Sequence, residues 1–212
     1  MENLWNICKN FGILLDLNQS EKINKHFKLL IEWNAVHNLT TIQDYDKIFL
    51  HHYVDCFLGL KILEKNLTNE IYDLGSGAGF PGLMAAVLWP EKNIFLVESS
   101  SKKQSFLSLA VSKMELNRVK ILGQRAEYLK NVSFAITRAA FSFQNWKLLE
   151  PILAPEGKIA FWLSGTQLKS SLNPQVQKGG EFKNSHWVLE SLEEYELEPG
   201  NKRQIAVFHV KH

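Results

Sequence analysis

From residue 70 onward, short apolar runs alternate with helical stretches, and this rhythm limits the possible folds more than any other feature of the sequence. The runs IYDL, NIFLVE, VKIL, FAIT and KIAFWL predict strands, and the stretches PGLMAAVL, KKQSFLSLAVSKM and WKLLEPIL predict helices. Such alternation is typical of an α/β fold with a doubly wound, mostly parallel sheet. Two later segments, HWVLESL and RQIAVFHV, flank a turn at residues 199–201 and predict a C-terminal hairpin that adds an antiparallel edge.

The first 66 residues have a different pattern, which is helical and lacks strand-like alternation. Ser20 is a good N-cap residue, and the apolar residues that follow it recur at helical spacing. A second helix is predicted over residues 52–60. We therefore expect an N-terminal helical cap of two or three short helices over residues 1–66. Residues 67–212 would form the main domain, and the two parts would make one compact unit.

Composition excludes several classes of protein. The chain has 212 residues, of which 45% are hydrophobic, and its net charge is +2, so it is neither disordered nor strongly basic. Its two cysteines, Cys8 and Cys56, cannot form a disulfide framework or a cysteine-based zinc site. The N-terminus lacks the pattern of a signal peptide, and no apolar run reaches the length of a membrane span. We expect a cytoplasmic protein that does not enter a membrane.

A glycine-rich turn, DLGSGAGFPG at residues 73–82, directly follows the first predicted strand and opens a predicted helix. Glycines permit a tight turn and let backbone N–H groups approach a ligand closely. The dinucleotide fingerprint requires a sixth-position glycine where this chain has Phe80, which weakens a nicotinamide or flavin interpretation. Taken alone, the turn fits a simple packing role equally well.

An acidic residue strengthens the case for a ligand at this turn. Glu98 follows the second predicted strand and lies 19 residues beyond Gly79. This offset is close to the ~20 residues that separate a glycine-rich turn from the acid that holds a ribose hydroxyl. The turn and Glu98 together predict a site for a nucleoside.

These motifs occur together with others along most of the chain. They are Trp33-Asn34 with Asn38-Leu39-Thr40, His52 with Asp55, residues 73–82, Glu98-Ser99 with Lys102-Lys103 and Phe106-Leu107, Arg125-Ala126-Glu127, and Thr137-Arg138-Ala139. In this combination the sequence resembles the bacterial guanine-N7 methyltransferases of 16S ribosomal RNA, the glucose-inhibited division protein B family. The resemblance implies a Rossmann-like class I methyltransferase fold that uses S-adenosyl-L-methionine.

The resemblance also implies a set of cofactor-binding residues: Asp73, Gly75, Gly77, Phe80, Glu98, Ala126, Glu127 and Arg138. The two glycines and the phenylalanine would line the methionine and ribose side of the cofactor, with Asp73 supporting the turn. Glu98 would hold the ribose, and Ala126 and Glu127 would lie beside the adenine. Arg138 would act near the transferred methyl group and is the predicted catalytic residue.

Four residues depart from the pattern of the family. Met84 replaces a frequent proline, Ser101 a usual glycine, Ala135 a frequent aspartate, and His51 a frequent arginine. The glycines, Glu98 and Arg138 all match. The departures therefore indicate a divergent member whose RNA contacts differ more than its cofactor pocket.

The distribution of charge suggests where RNA would bind. Residues 102–138 contain eight basic residues and two acidic ones, a local balance of +6. We predict RNA contacts from Lys102, Lys103 and Arg125, although a solvated helix face explains such lysines equally well. Further basic residues of the helical cap would extend this surface: Lys22, Lys25, His26 and Lys28.

The chemistry of guanine N7 explains why no catalytic triad or carboxylate pair is apparent. N7 has a lone pair and no hydrogen, so it can attack the methyl group of a sulfonium without a general base, and alignment dominates catalysis. Side chains reach N7 poorly in a duplex, so the target must be a loop guanine or an unstacked one. Phe141 or Phe143 would stack on it, and such stacking contributes ~1–3 kcal/mol per base.

We interpret the histidines as structural residues and not as metal ligands. His51 and His52 are adjacent on a helix and point in different directions, and His52 is expected to hydrogen-bond to Asp55 three residues later. His209 and His212 form no convincing ligand set either, so we predict no metal.

The leading functional hypothesis is methylation of guanine N7 in 16S ribosomal RNA. Two alternatives stay open: a methyltransferase for a small molecule or protein, and a non-catalytic RNA-binding assembly module. The expected partner is 16S ribosomal RNA or the small-subunit particle, and we expect no obligate protein partner.

Overall fold

A computed structural model describes residues 2–141, 146–164 and 186–211. These residues contain a seven-stranded sheet in the order β3-β2-β1-β4-β5-β7-β6. The strands are β1 (Glu70–Leu74), β2 (Asn93–Val97), β3 (Val119–Leu122), β4 (Val132–Arg138), β5 (Leu153–Ser164), β6 (Trp187–Glu198) and β7 (Asn201–Val210). The mostly parallel α/β fold is confirmed.

The C-terminal hairpin joins the sheet in an unusual order. Strands β1 to β5 pair in parallel, whereas β7 pairs antiparallel with both β5 and β6. The second strand of the hairpin therefore lies inside the sheet, and β6 forms its edge. The predicted hairpin is confirmed, but the only antiparallel strand of this sheet is β7, because β6 runs in the same direction as β5.

The helices are α1 (Glu2–Asn10), α2 (Leu17–His37), α3 (Tyr45–Ile48), α4 (Asp55–Leu63), α5 (Gly82–Leu88) and α6 (Ser101–Lys113). A π-helical segment, Phe49–Val54, joins α3 to α4. Among the described residues, no helix has the length and apolar character required to cross a membrane.

Helix α2 corrects two predictions about the helical cap. It has 21 residues, so the cap is not made of short helices alone, and its N-cap is Asp16 rather than Ser20. The Asp16 carboxylate accepts from Gln19 N–H at 2.7 Å, and the Gln19 side chain accepts from Asp16 N–H at 3.1 Å. This reciprocal capping box satisfies two N–H groups of the first turn, and Ser20 lies inside the helix it was expected to begin.

Two hydrophobic clusters lie on opposite faces of the sheet. The six α-helices contribute to the first cluster, together with side chains such as Ile71 and Leu96 that alternate along the strands. The second cluster holds the other strand face, including Leu74 and Val97. In the described residues it is covered by 3-10 helices at Ala126–Tyr128 and Trp146–Ile152, the second of which replaces the α-helix predicted for WKLLEPIL. The two faces are therefore covered unequally.

The parallel strands place their carboxyl ends at one edge of the sheet. Open α/β sheets bind ligands at this edge, where neighbouring connections leave in different directions. The glycine-rich turn, Glu98 and Arg138 all lie there, because they follow or end β1, β2 and β4.

Candidate cofactor and acceptor site

The glycine-rich turn is held against the end of β2 by its own backbone. Gly75 N–H and Ser76 N–H both donate to the carbonyl of Val97, at 2.9 and 3.1 Å. Gly75 has φ +74°, and a Cβ there would collide with the side chain of Ala140. The sequence must therefore have glycine at this position, for both conformation and space.

Gly77 differs from Gly75 because the space beside it is open. Its φ is +57°, and the nearest atom to an added Cβ is the Gly75 carbonyl oxygen at 3.9 Å. The residue lines a cavity at the carboxyl edge of the sheet. The open side of Gly77 is thus available to a ligand.

Asp73, in β1, hydrogen-bonds to the end of the glycine-rich turn. Its side chain is fully buried, and Oδ2 accepts from Gly82 N–H at 3.0 Å, which fixes the start of α5. Oδ1 has no hydrogen-bond partner among the described residues. Desolvation raises the pKa of Asp73 to about 7, although the bond from Gly82 opposes this shift. Asp73 thus contacts the turn through Gly82 N–H, and its role at a cofactor site stays a prediction.

Glu98, which directly follows β2, hydrogen-bonds to the glycine-rich turn. One carboxylate oxygen accepts from Gly77 N–H at 3.0 Å and the other from Ser100 N–H at 2.9 Å. Its side chain is only slightly exposed and lines the cavity. These two bonds fix the carboxylate beside the open face of Gly77, where the sequence placed an acid that could hold a ribose.

A third wall of the cavity follows β3. Gln124, Arg125, Ala126 and Glu127 all line it, and Ala126 is buried. The cavity has a volume of about 1010 Å³. This volume lies at the upper end of the range for small-molecule sites, ~300–1,000 Å³. The cavity is large enough for a nucleoside cofactor with space left for a second ligand.

The remaining wall comes from β4, β5, β7 and the helical cap. Cavity-lining residues on this side are Leu39, Thr40, Ile42, His51, His52, Asp55, Arg138, Phe141, Trp162 and Arg203. The cavity therefore has a backbone-rich end around the glycine turn and a side-chain-rich end around Arg138. We call these the turn end and the arginine end.

Arg138 organises the arginine end. Its Nη1 donates to Asp55 Oδ2 and to the His51 carbonyl, both at 2.9 Å. Its Nη2 lies 2.8 Å from His52 Nδ1, and the guanidinium carbon lies 5.3 Å from the centroid of the Phe80 ring. Since a guanidinium can only donate, His52 Nδ1 accepts and the proton of that ring is on Nε2, which donates to Thr40 Oγ1 at 2.9 Å.

His52 is held neutral by this arrangement. Burial, followed by the charge of Arg138, lowers its pKa to about 3. The predicted local bond between His52 and Asp55 is wrong, because both side chains bind Arg138 instead. Sequence spacing identified two neighbours on one helix face but not their common partner from β4.

Asp55 is shared by two arginines. Its Oδ1 accepts from Tyr195 Oη at 2.8 Å and lies 3.6 Å from Arg203 Nε, while Oδ2 binds Arg138. One carboxylate against two guanidinium groups leaves this cluster with one net positive charge. Sequence reasoning missed Arg203 and Tyr195, since neither stands out within an alternating strand.

His26 links the helical cap to the glycine turn. The ring is fully buried, and Nε2 lies 2.9 Å from the carbonyl oxygen of Ala78, which can only accept. Nδ1 therefore accepts from Tyr53 Oη at 2.7 Å. Burial lowers the pKa of His26 to about 4, so the ring is neutral. Its position between Ile23 and Leu30, on the apolar face of α2, could have shown from the sequence that His26 is buried.

The cap lysines do not extend a basic surface as predicted. Lys22 Nζ donates to the carbonyl of Met114 at 2.6 Å, and Lys25 pairs with Glu115 at 2.6 Å. The bond from Lys22 satisfies a free carbonyl at the C-terminal end of α6, where lysines interact favourably, and the Lys25 pair is a side-chain contact beside it. With His26 buried, only Lys28 of this group is an exposed residue without such a structural role in the described contacts.

The predicted RNA-binding residues differ in their exposure to solvent. Lys103 and Arg125 line the cavity, whereas Lys102 is exposed in the first turn of α6. Phe141 is half-buried and also lines the cavity. Phe143 lies outside the described residues. Among the described residues, no three His, Cys, Asp or Glu side chains form a group that could hold a metal ion.

The fold and the cavity define a class I methyltransferase architecture. A solved structure with this fold is TrmN from Thermus thermophilus, with a TM-score of 0.53 and 16% identity, covering 74% of this chain and 49% of that one. The model of the family GidB, rRNA small subunit methyltransferase G, matches residues 19–193. The chain belongs to this family.

Two relatives are named Ribosomal RNA small subunit methyltransferase G. The protein from Mycoplasma capricolum is 37% identical over 142 residues, 64% of this chain and 60% of the relative. That from Oceanobacillus iheyensis is 30% identical over 207 residues, 92% of this chain and 87% of the relative. For several relatives the match spans little more than half of their length, as with the 54% of a Streptococcus pneumoniae protein.

Proposed function

We propose that this protein transfers the methyl group of S-adenosyl-L-methionine to N7 of a guanine in 16S ribosomal RNA. The observation that carries the proposal is the glycine turn bonded to Glu98 through Gly77 N–H, in a chain that belongs to the GidB family. The partner would be 16S ribosomal RNA or the small-subunit particle, and the site of action the cytoplasm.

The turn end fits the cofactor. Gly77 leaves open space where any side chain would project, and Glu98 holds its carboxylate beside that space. In the proposal Gly75, Gly77 and Phe80 line the methionine and ribose side, and Glu98 accepts from the ribose hydroxyls.

The other walls complete the cofactor pocket. Ala126 and Glu127 would flank the adenine, and Asp73 keeps the turn in position through Gly82 N–H. When bound, S-adenosyl-L-methionine supplies a methyl group activated by a sulfonium charge.

The arginine end fits the acceptor. Its cluster of Asp55, Arg138 and Arg203 has one net positive charge, which attracts a polyanion to the side of the cavity opposite Glu98. Arg138 would orient the base or the donor near the reacting atoms, since Asp55, His51 and His52 fix its guanidinium. Phe141 offers a half-buried ring for stacking, and Phe143 is proposed for the same role.

No general base is needed at this end. The lone pair of N7 forms the new bond to carbon as the carbon–sulfur bond breaks, and no proton leaves the base. His52, whose pKa is lowered to about 3 and whose nitrogens both have partners, is correspondingly unsuited to accept a proton. Rate acceleration would come from alignment of the two substrates and from fixed electrostatics.

Basic residues at the mouth of the cavity would hold the RNA backbone. Lys102 and Lys103 occupy the first turn of α6, where the helix dipole disfavours cations by ~0.3–1 kcal/mol each. Arg125 also lines the cavity, from the connection after β3. Lysines at an unfavourable position are explained if phosphates contact them.

The test is methyl transfer from labelled S-adenosyl-L-methionine to 16S ribosomal RNA and to small-subunit particles that lack native methylation. Borohydride and aniline treatment then cleaves the RNA at N7-methylguanine. We expect cleavage at a single position. Tight cofactor binding without transfer to either substrate would redirect the search to other acceptors, and failure to bind the cofactor would favour a non-catalytic module.

A further inference from the structure

In the described parts of the chain, the face of the sheet opposite the α-helices is covered at its carboxyl end, and no helix covers it at its amino end. The connection from β3 to β4 contains a single 3-10 turn, Ala126–Tyr128, whose Ala126 packs in the second hydrophobic cluster with Leu74 and Val97 at the carboxyl ends. No described helix packs over the amino ends of β2 and β3 on this face, because the α-helices belong to the cluster on the other side.

Aromatic side chains lie on this open part of the sheet. Tyr72 pairs with Phe95, and Phe95 pairs with Lys120, so the three residues form a row across β1, β2 and β3. The two rings are stacked, with centroids 4.5 Å apart and an interplanar angle of 11°, and both residues are half-buried. The second face of the Phe95 ring points along the row toward Lys120, whose Nζ lies 5.9 Å from the ring centroid.

A hollow lies next to Phe95 on the β3 side. Its volume is about 350 Å³, and it is lined by Asn93, Phe95, Asn117, Arg118 and Lys120. Arg118 and Lys120 are exposed, and no acidic residue is among the lining residues. The hollow thus combines an aromatic ring, two amides that can bind base edges, and two cations that can bind phosphates.

We propose that this hollow binds a nucleotide of single-stranded RNA, with the base on the face of Phe95 that Lys120 covers in the free protein. Lys120 would then turn toward a flanking phosphate, and Arg118 would contact another. Aromatic rings on a sheet, bordered by basic side chains, are a common way to bind unpaired RNA without strict sequence preference.

Glu70 lies beside the hollow, since it pairs with Asn93 and accepts from Tyr72 Oη at 3.4 Å, but Arg118 and Lys120 leave the surroundings with net positive charge. This charge favours a nucleic acid as the occupant. The inference rests on the proposed function, since it extends the contact with the same RNA.

The hollow starts at Asn93, at the amino end of β2, whereas the methyl-transfer cavity is lined by Val97 at its carboxyl end. These two residues are four positions apart in β2, which at ~3.3 Å per residue corresponds to about 13 Å. The nucleotide in the hollow is therefore not the target guanine but part of a neighbouring segment. Binding there would contribute affinity and orientation without contacting the cofactor.

A second hollow in the chain provides a matched control. It has a volume of about 240 Å³ and is lined by Lys25, Lys28, Leu29, Glu32 and Lys113. It is basic like the first, but it contains an acid and no aromatic ring. Reversing the charge of two of its exposed lysines changes the net charge of the protein by the same amount as reversing Arg118 and Lys120.

The experiment measures filter binding of unmodified 16S ribosomal RNA transcript and of a uridine dodecamer over a range of salt concentrations. The variants are Arg118→Glu with Lys120→Glu, Phe95→Leu, and the control Lys28→Glu with Lys113→Glu. For the first we expect at least tenfold weaker binding and a log–log salt slope smaller by about 1.4, the value for two phosphate contacts with a single strand. Phe95→Leu should weaken binding about tenfold with little change in slope.

Affinity for S-adenosyl-L-methionine and the thermal midpoint of the charge variants should match those of the unaltered protein. Equal losses in the control and in the Arg118 and Lys120 variant would overturn the proposal. So would unchanged binding of both RNAs by the Arg118 and Lys120 variant. The binding assay needs no methyl transfer, so failure of the proposed function and failure of this inference give different results.

Discussion

The two ends of the cavity are built in different ways. At the turn end, one continuous segment and one acid make most contacts through backbone N–H groups, as in the bonds from Gly77 and Ser100 to Glu98. At the arginine end, side chains from the helical cap, β4, β6 and β7 meet around Asp55. The geometry of the turn end, which is made by backbone groups, depends on local conformation. The geometry of the arginine end, which is made by side chains, depends on how distant segments pack.

The largest expected effect is at the turn end. Gly77→Val fills the open space beside the backbone and forces a branched residue to φ +57°, so affinity for S-adenosyl-L-methionine should fall at least a hundredfold, measured by calorimetry. Gly200→Val is the control, because Gly200 has φ +80° and no atom within 4 Å of an added Cβ. Both changes carry a backbone cost of ~1–2 kcal/mol. Equal cofactor affinity in the two variants would contradict the placement of the cofactor at Gly77.

The next effect belongs to the arginine end. Arg138→Lys keeps the charge but cannot reproduce simultaneous bonds to Asp55, His51 and His52, so kcat for RNA methylation should fall up to about a hundredfold. Cofactor affinity should change less than threefold. The matched change Arg203→Lys keeps a cation near Asp55 at a contact that is already 3.6 Å long, and its effect should be smaller. An unchanged rate for Arg138→Lys would remove Arg138 from the site.

A smaller effect tests the link between the cap and the turn end. His26→Phe keeps an aromatic ring but leaves the half-buried Ala78 carbonyl without its donor, a loss of ~1 kcal/mol. We expect about tenfold weaker cofactor binding. Tyr53→Phe removes only the bond to Nδ1 and keeps the one to Ala78, so its cofactor affinity should stay within threefold. Equal losses in both variants would show that packing, not the bond to the turn, is what matters.

The smallest effect on function should come from Asp73→Asn, which instead alters the dependence of stability on pH. Burial raises the pKa of Asp73 from 3.8 to about 7, so the folded protein keeps a proton that the unfolded chain loses. Its contribution to stability is full below pH 3.8 and is lost as the pH rises to about 7, by ~1.4 kcal/mol per unit.

Burial lowers the pKa values of His26 and His52, so these residues change stability with pH in the opposite direction. Because both histidines are present in the two proteins, the measured quantity is the difference in stability between the variant and the unaltered protein. Urea unfolding of Asp73→Asn and of the unaltered protein is compared at pH 5 and pH 7, and the difference in stability should shift in favour of the variant at pH 7. Arg138 and Glu98, which also act on Asp73, are present in both proteins. A constant difference would show that Asp73 is ionised throughout.

Sequence reasoning succeeded where the determinants are local. The strands of the parallel sheet, the glycine turn and Glu98 are each encoded within a short segment, and strand ends bring them to one edge. Asp16 was also visible locally, since Gln19 follows it at capping-box spacing, but Ser20 is an equally good cap residue by type. The wrong choice between them placed the start of α2 four residues too late.

The arginine end could not be predicted in the same way. Asp55 contacts Arg138 across 83 residues and Tyr195 across 140, and nothing in the spacing of these residues selects one partner over another. Lys22 and Lys25 looked like a solvated basic face because the C-terminal end of α6, which they bind, is about 90 residues away in sequence. The boundary between cap and main domain at residue 66 stays a prediction.

The position of β7 has a consequence for synthesis on the ribosome. This strand is made after β5 and β6, yet it lies between them in the sheet. Until its ten residues emerge, β5 has an unpaired side and β6 has no neighbour, and both are exposed to pairing with other nascent chains. Truncation before residue 201 would thus remove the strand that joins β6 to the rest of the sheet.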